Sequence, residues 1–170
     1  MSEVVVLAGS NNKNLQLANE FNEYLNEQAG INCQLIDIVE LDLPLYSNIA
    51  QAKGTPKNLS GLLSTLIKAN GFVFVIPEYN GGIPPVVTNL LAWISVSGGS
   101  DWRAVLNGKT VALATASGGG GFHALMALRT QLSYIGMNTI GRVVKTGPNE
   151  PLNSEDFVAV NNLLIDSIKS

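Results

Sequence analysis

Three segments of the chain combine glycine with polar or aromatic residues, and each directly follows a short apolar run. They are residues 9–14 (GSNNKN), 77–85 (PEYNGGIPP) and 117–121 (SGGGG), and we refer to them as the first, second and third loop. Main-chain N–H groups at such points can bind an anion. Residues without a side chain let a planar molecule lie against the backbone.

The sequence shows no pattern of side chains that is typical of a catalytic triad or a metal site. His123 is the sole histidine and Cys33 the sole cysteine of the 170 residues. We predict neither a catalytic triad nor a metal site, because His123 lacks a carboxylate or cysteine partner and the spacings of metal ligands do not occur. We expect His123 on the surface of a helix. A site built of glycines and main-chain donors suits a cofactor that carries the chemistry itself.

The first loop is predicted to bind a terminal phosphate. It joins a strand to a helix, where the helix dipole places about half a positive charge at free N–H groups. Ser10, Asn11, Asn12 and Asn14 add neutral donors, and Lys13 adds a charge. The alternative is an ordinary polar turn whose Ser or Asn caps the helix. The loop has neither the glycine fingerprint of dinucleotide folds nor the ending of a Walker loop.

The second loop is predicted to approach a planar ligand. Its candidate residues are Pro77, Glu78, Tyr79, Asn80 and Gly81. Asn-Gly between apolar runs usually indicates a hairpin, but the following segment has helical spacing, so this loop leads from a strand to a helix. The alternative is a tight turn in which Glu78 and Tyr79 are ordinary surface residues.

The third loop holds four consecutive glycines after Ser117. Each glycine costs roughly 0.5–1 kcal/mol in folding relative to alanine, so such a run favours a flat ligand lying against the main chain. Ser117, Gly118 and Gly119 are the candidate binding residues, with N–H groups that can face carbonyl oxygens or delocalised negative charge. The alternative is a flexible linker.

Strands and helices alternate along the chain. Short apolar runs predict strands over residues 3–8, 31–38, 71–77, 110–115 and 138–144. Helical spacing predicts helices near residues 15–29, 59–67, 84–95, 125–135 and 154–168, while residues 39–56 read as an irregular connection. Five strands each followed by a helix indicate a single α/β domain, residues 1–170, with a parallel sheet between two helical layers.

The predicted fold brings the three loops together. In open α/β sheets, ligands bind beyond the carboxyl ends of the strands, where the strand order reverses. In the flavodoxin-like order 2-1-3-4-5, the first, third and fourth strands are neighbours, and these are the strands that the three loops follow. The sequence therefore predicts one ligand site at this edge of the sheet.

The composition of the chain limits which partners it can bind and which cellular compartment it suits. A net charge of −3 without a run of basic residues argues against nucleic acid. A lone cysteine forms no disulfide within the chain, which fits a reducing cytoplasm, and Cys33 reads as a buried apolar residue. We expect no signal segment and no membrane span, since no apolar run reaches about 20 residues.

The loops resemble the NADPH-dependent FMN reductase family, which includes quinone, chromate and azo-dye reductases. The hallmark of that family is Pro-Glu-Tyr-Asn-Gly-Ser-Ile-Pro, and residues 77–84 read PEYNGGIP, with Asn89, Trp93 and Ser95 downstream. Residues 43–46 (LPLY), 106–113 (LNGKTVAL) and 117–132, with Ala127, Leu128 and Arg129, also match. The resemblance spans nearly the whole chain.

This resemblance implies a flavodoxin-like enzyme that binds FMN. By position, Ser10 and Asn14 would contact the FMN phosphate, residues 77–81 would line the ribityl chain and the isoalloxazine, and Ser117, Gly118 and Gly119 would flank the pyrimidine edge of the ring. NADPH or NADH would deliver hydride to the flavin, and a quinone, free flavin, azo compound or metal oxyanion would then take it by alternating, ping-pong kinetics.

The chain departs from the family pattern at the first loop, which is about three residues shorter and lacks the arginine and the second serine. Two other functions therefore stay open at this stage. One is a non-enzymatic electron carrier of the flavodoxin type, although a charge of −3 is weak for docking partners. The other is a flavin-free binding module.

The third predicted helix indicates assembly. Its apolar residues, which are Val86, Val87, Leu90, Leu91, Trp93 and Ile94, cover most of its circumference. A helix that is apolar nearly all round is covered on more than one side, so we expect a homodimer, or a dimer of dimers, through residues 84–95. The alternative cover is the loop 96–104, with Trp102 lying over the helix.

Overall fold

The computed structural model describes residues 1–99 and 101–169. Its sheet contains the strands β1 (Ser2–Ala8), β2 (Ile31–Asp37), β3 (Gly71–Val75), β4 (Thr110–Ala116) and β5 (Asn138–Thr146). Neighbouring strands are parallel, and their order is β2-β1-β3-β4-β5. The predicted flavodoxin-like topology is confirmed.

Helices lie on both faces of this sheet. In chain order they are α1 (Lys13–Asn26), α2 (Asn48–Gln51), α3 (Lys57–Ser60), α4 (Leu63–Lys68), α5 (Pro85–Ser97), α6 (Phe122–Ile135) and α7 (Ser154–Lys169). Buried residues of α1 and α7 share one apolar cluster with the sheet, and buried residues of α4, α5 and α6 share the other. The chain therefore has the three predicted layers.

The central strands explain why two helical layers form. In β1, Val5 and Leu7 belong to one cluster, whereas Val4 and Val6 belong to the other, because successive side chains of a strand point to opposite faces. The edge strand β2 instead alternates buried and exposed residues over most of its length. Continuous apolar runs thus mark the strands that are covered on both faces.

Two segments differ from the sequence-based prediction. The connection over residues 39–56 contains the short helix α2, whose N-cap Ser47 accepts a hydrogen bond from the N–H of Ala50 (3.1 Å). The helix expected near residues 59–67 is divided into α3 and α4, on either side of Gly61. Spacing of leucines did not reveal the break, because Leu59 and Leu66 are buried in the same cluster.

Helix α5 is covered within the chain itself. Trp93 is fully buried, and its Nε1 donates to the carbonyl oxygen of Pro44 (2.7 Å). Asn89 accepts from the N–H of Tyr46 (2.8 Å) and donates to the carbonyl of Leu43 (3.2 Å). The cover is thus the segment 43–46, whereas Trp102, the alternative considered from the sequence, is 41% exposed.

The helices also bear on the question of a membrane. Among the residues that the structure describes, no helix is both long and apolar enough to cross a bilayer.

Candidate functional site

The three loops meet at the carboxyl edge of the sheet, as predicted. The first loop is joined to the last residue of β4, directly before the third loop, where the side chain of Asn14 donates to the carbonyl of Ala116 (3.1 Å) and accepts from its N–H (2.9 Å). The second and third loops are joined where the N–H of Glu78 donates to Ser117 Oγ (2.9 Å). Three segments far apart in the sequence therefore form one connected surface.

A cleft of ≈ 400 Å³ opens between the first and second loops. It lies at the ends of β1 and β3 and reaches the start of α5. Its lining residues are Gly9, Ser10, Asn11, Asn12, Val39, Tyr79, Pro85 and Val86. The sequence predicted four of these as ligand contacts, which are Ser10, Asn11, Asn12 and Tyr79.

The first loop has the electrostatics of an anion site. Helix α1 begins at Lys13, directly after the loop, and has no acidic residue in its first turn. The helix dipole is therefore not offset by a nearby carboxylate on α1. Asn12, the N-cap, has φ 64° and ψ −126°, and its side chain makes no capping hydrogen bond. A ligand can thus reach the N–H groups that an N-cap side chain usually occupies.

Lys13 and Asn14 take positions that the sequence did not reveal. Asn14 is buried, and both polar atoms of its side chain bond to the main chain of Ala116. Lys13 lines a different cavity of ≈ 220 Å³, which it shares with Gln16, Glu20 and Thr146. The polar atoms of the Asn14 side chain therefore join the first loop to the end of β4, and the Lys13 side chain borders a neighbouring cleft.

The second loop contains a complete tight turn. The N–H of Tyr79 donates to the carbonyl of Gly82 (3.2 Å), and the N–H of Gly82 donates back (3.0 Å). Asn80 (φ 52°) and Gly81 (φ 72°) occupy the centre with positive φ, as in a type I′ hairpin turn. The Asn-Gly signal thus marks a real turn, although the chain continues into α5. Tyr79 is 51% exposed beside the cleft.

The four glycines of the third loop divide into two pairs. Gly118 and Gly119 are exposed, and Cβ atoms built there meet at most Glu78 Oε1, at 3.8 Å from Gly119. Gly120 (φ 82°) and Gly121 (φ 65°) hold left-handed backbone conformations. The first pair leaves open space along the main chain, whereas the second pair turns the chain into α6.

Glu78 connects the second loop to α6. Its Oε2 accepts a hydrogen bond from the N–H of Ala124 (3.1 Å), in the first turn of α6. Helix α6 follows Gly121, which has no side chain that can cap it. A carboxylate at a helix N-terminus satisfies a free donor and interacts favourably with the dipole, so Glu78 fixes the third loop from both its main chain and its side chain.

Neither His123 nor Cys33 lines the cleft. His123 is exposed, as expected, and its ring contacts Phe122 (5.7 Å between centroids). Burial raises the pKa of the Cys33 thiol to about 12, so this cysteine stays protonated. Among the described residues, no group of three His, Cys, Asp or Glu side chains is arranged to hold a metal ion.

Sequence reasoning missed three residues of this region. Val39 and Val86 line the cleft, and Thr115 bonds to Ser117 beneath the third loop (Oγ–Oγ distance 2.9 Å). Each is an ordinary residue of an apolar segment, so neither type nor spacing marked it. Of the three, only Thr115 could have been found from the sequence, because it lies two residues before the candidate Ser117 and therefore on the same side of the extended chain.

Comparison with known proteins identifies the family. A model of the NADPH-dependent FMN reductase family matches residues 2–149. The chain belongs to this family. It is accordingly an oxidoreductase that uses FMN with a reduced nicotinamide.

Individual relatives of the FMN reductase family differ in how much of the chain they match. A protein of Mycoplasma pneumoniae without a described activity is 25% identical over 158 residues, which cover 91% of this chain and 92% of that protein. A quinone reductase of Pseudomonas putida is 31% identical over 105 residues, which cover 60% of this chain and 55% of that enzyme. The match to the quinone reductase is therefore partial.

The fold is shared with solved flavoenzymes. FerB of Paracoccus denitrificans, described as a flavoenzyme NAD(P)H:(acceptor) oxidoreductase, superposes with a TM-score of 0.73 at 19% identity. The superposition covers 99% of this chain and 96% of FerB. At this level of identity the likeness concerns the fold.

The site fits FMN in the terms that the structure provides. The N-terminus of α1 supplies donors for a phosphate, and no acid of its first turn opposes the charge. The exposed Gly118 and Gly119 leave room for a planar ring against the main chain. The short first loop therefore keeps the main-chain donors of a phosphate site, although it lacks the arginine of the family pattern.

Proposed function

We propose that this FMN reductase relative binds one FMN per chain in the cleft between its loops and reduces small quinones with NADPH or NADH. When bound, FMN accepts hydride from the nicotinamide and passes it on. The observation that carries the proposal is the hydrogen bonding of Glu78 to Ser117 and of Asn14 to Ala116, which joins the three loops into one surface.

The phosphate belongs at the first loop. Ser10, Asn11 and Asn12 line the cleft in front of α1, and their main-chain and side-chain donors would bind the phosphate. Without a ligand, the Ser10 hydroxyl donates to the carbonyl of Asn11 (3.3 Å). Asn14 contributes through its main-chain N–H and by fixing the loop against Ala116, since its side-chain oxygen is already used. Neutral donors suffice because the helix terminus supplies the positive potential.

The ring belongs between the second and third loops. Pro77, Glu78, Tyr79, Asn80 and Gly81 border it on one side. Ser117, Gly118 and Gly119 border its pyrimidine edge. The N–H groups of Gly118 and Gly119 would face the ring oxygens, because the N–H of Ser117 donates to the carbonyl of Thr146 (3.1 Å). The contribution of the protein to hydride transfer is positioning, because the cleft lining contains no histidine, lysine or carboxylate and the Glu78 carboxylate already accepts from the N–H of Ala124.

A quinone is the acceptor we favour. The exposed Tyr79 and the bare main chain at Gly118 and Gly119 leave a shallow surface that admits a flat molecule. The partial match to a quinone reductase supports the same acceptor class.

The assembly we propose is a homodimer formed through α5 and the segment that covers it. Of the residues of α5, all of which the structure describes, Pro85 alone is exposed. The outward surface on this side is instead the segment 43–51, where Leu45 (82%) and Ile49 (77%) are exposed. Exposed apolar side chains of this size favour a subunit contact.

We further propose that the chain is a single domain and that the enzyme is cytoplasmic. The free Cys33 is in keeping with a reducing compartment.

The test is flavin-dependent quinone reduction. Purified protein, NADPH and 1,4-benzoquinone are mixed without oxygen, with and without added FMN, and NADPH absorbance is followed. We expect steady turnover that requires FMN and follows ping-pong kinetics. A protein that binds FMN without turnover is an electron carrier, and a protein that does not bind FMN overturns the proposal.

A charge variant tests the phosphate end of the site. Asn11→Asp keeps the shape but places a carboxylate near the phosphate, so FMN affinity falls roughly tenfold by Coulomb repulsion at the surface. The control Asn162→Asp makes the same change on the exposed surface of α7. Equal FMN affinities of the two variants, measured by quenching of flavin fluorescence, contradict the assignment.

A further inference from the structure

Thr115 carries a hydroxyl group in a fully enclosed position at the end of β4. Its side chain is 0% exposed. Gly121 closes the space above it, because a Cβ at residue 121 would lie 2.6 Å from both Thr115 Oγ1 and Thr115 Cγ2. Solvent therefore does not reach this hydroxyl, and its proton must go to a protein acceptor.

Ser117 is that acceptor. The oxygens of Thr115 and Ser117 lie 2.9 Å apart, and among the described residues Ser117 is the one hydrogen-bond partner of Thr115 Oγ1. If Ser117 were the donor, the proton of Thr115 would be buried without an acceptor, which is costly. The hydrogen-bond network therefore directs the Thr115 proton to Ser117 Oγ.

The second contact of Ser117 fixes where its own proton points. Ser117 Oγ also accepts from the main-chain N–H of Glu78 (2.9 Å). A hydroxyl oxygen accepts two hydrogen bonds and donates one. With Thr115 and Glu78 as donors, both acceptor positions are filled, and the proton of Ser117 is left for a third partner.

We propose that Thr115 is a positioning residue, which orients the hydroxyl of Ser117 as a hydrogen-bond donor toward the bound flavin. The inference rests on the proposed function, since it assigns the third partner to the ring of FMN. It explains why a buried strand end carries threonine where valine has the same shape and the neighbouring β4 residues are apolar. The ring atom that accepts this hydrogen bond would be a carbonyl oxygen or an unprotonated ring nitrogen, because these are the acceptors of the ring.

A double-mutant cycle tests this coupling. FMN dissociation constants are measured by fluorescence quenching for the unaltered chain, Thr115→Val, Ser117→Ala and the double variant. We expect Thr115→Val and Ser117→Ala each to weaken FMN binding about fivefold, the size of one ordinary hydrogen bond. In the Ser117→Ala background, Thr115→Val then changes the affinity by less than about twofold.

Two further variants separate positioning from packing. Thr115→Ser keeps the hydroxyl and is expected to bind FMN within about twofold of the unaltered chain. Thr110→Val makes the same change as Thr115→Val at the other end of β4, where the residue is also buried, and is expected to leave FMN affinity unchanged. The absorption maxima of bound FMN should shift alike in Thr115→Val and Ser117→Ala and stay fixed in Thr115→Ser.

The outcomes distinguish a failure of the Thr115 inference from a failure of the proposed FMN binding. If Thr115→Val weakens binding by the same factor with and without Ser117, or has no effect, the inference is overturned while the proposed function stands. If Thr115→Val does not fold, Ser117→Ala decides alone, and unchanged affinity and absorption overturn the inference. If the unaltered chain does not bind FMN, the proposed function and the inference both fail.

Discussion

Asn12 is held in a backbone conformation that a side chain disfavours. Its φ of 64° with ψ of −126° belongs to the region that glycine occupies, and its side chain gains no capping hydrogen bond in return. The residue stands at the centre of the first loop, where it borders the cleft. Strain of this kind persists where the surrounding structure imposes it, here the entry into α1.

Replacing Asn12 by glycine should therefore stabilise the chain. We expect Asn12→Gly to raise the free energy of unfolding by about 1 kcal/mol, because the strain is removed and no side-chain contact is lost. Urea denaturation of the ligand-free protein measures this change in the free energy of unfolding. The control is Asn11→Gly, at a neighbouring position without positive φ, which should lower stability by about 0.5–1 kcal/mol. Equal losses in both variants would show that Asn12 is not strained.

For single residues, the sequence predicted positions around the cleft better than it predicted the hydrogen-bond partners of the side chains. Ser10, Tyr79 and Gly118 stand where the loop patterns predicted, beside open space. Asn14 and Glu78 were also predicted as ligand contacts, and in the structure their side chains bond to other parts of the protein. Hydrogen-bond partners 46 or 102 residues apart depend on the tertiary structure and leave no trace in local spacing.

The element that shapes the cleft from outside is the connection between β2 and α2. It carries Val39, which lines the cleft, and it is held on α5 by Asn89 and Trp93. An edge ring contact between Tyr46 and Trp93 (5.3 Å between centroids) adds to the attachment. Asn89 and Trp93, which match the family pattern downstream of the second loop, therefore attach this connection to α5.

Removing this attachment should loosen the connection. Asn89→Ala deletes one acceptor and two donor contacts, to Tyr46, Leu43 and Pro44, and should lower the free energy of unfolding by about 2 kcal/mol. Amide exchange over residues 39–47 should quicken. The control Asn19→Ala removes an exposed amide that bonds only within α1 and should cost less than about 0.5 kcal/mol. Unchanged exchange over 39–47 would contradict the account.

The start of β4 is tied to the end of α4 by a lysine. Lys109 Nζ donates to the carbonyls of Leu66 (2.9 Å) and Ile67 (2.6 Å). Burial lowers the pKa of this amine from 10.5 to about 8, because the charged form loses hydration. Between these pH values the unfolded chain binds more protons at this residue than the folded chain does.

The stability contributed at Lys109 should therefore rise with pH. The cost of burying its charge is present below pH 8 and is relieved as pH increases toward 10.5. We expect the free energy of unfolding of the unaltered chain, relative to Lys109→Met, to increase between about pH 7.5 and about pH 10. Chemical denaturation at both pH values checks it, and a constant or falling difference would contradict the sign.

The elements themselves were largely readable from the sequence. Apolar runs located β1, β3 and β4, and helical spacing located α7. The side chain of Asn153 caps this helix by accepting from the N–H groups of Glu155 (2.9 Å) and Asp156 (3.1 Å). The break between α3 and α4 was not readable, because both pieces bury leucines in one cluster. The spacing of apolar residues shows which positions are buried, and buried leucines continue from α3 into α4 across the break.

For the whole molecule, the assembly is open to a direct experiment. We expect sedimentation velocity at micromolar concentration to give a dimer of the 18.0 kDa chain. Leu45→Glu or Ile49→Glu should shift it to a monomer without lowering the stability of the fold, because both side chains are exposed. The control Leu163→Glu, on exposed α7 surface, should leave the dimer intact. A monomeric unaltered chain would refute the proposed contact.

The convergence of the loops was the prediction that depended most on topology. The strand order places the ends of β1, β3 and β4 side by side, and that order follows from general rules for parallel sheets. The cover of α5 by the segment 43–46 was not predictable in the same way. Its donors and acceptors lie more than 40 residues apart in an irregular connection.

Hydrogen exchange with and without FMN tests the central claim, that one flavin lies across all three loops. We expect FMN to slow amide exchange together in peptides covering residues 9–14, 77–82 and 117–122, because each supplies N–H groups to the same ligand. Peptides from β2 and the exposed face of α7 should stay unchanged. Protection of a single loop, or protection confined to the cavity beside Lys13, Gln16 and Glu20, would contradict the account.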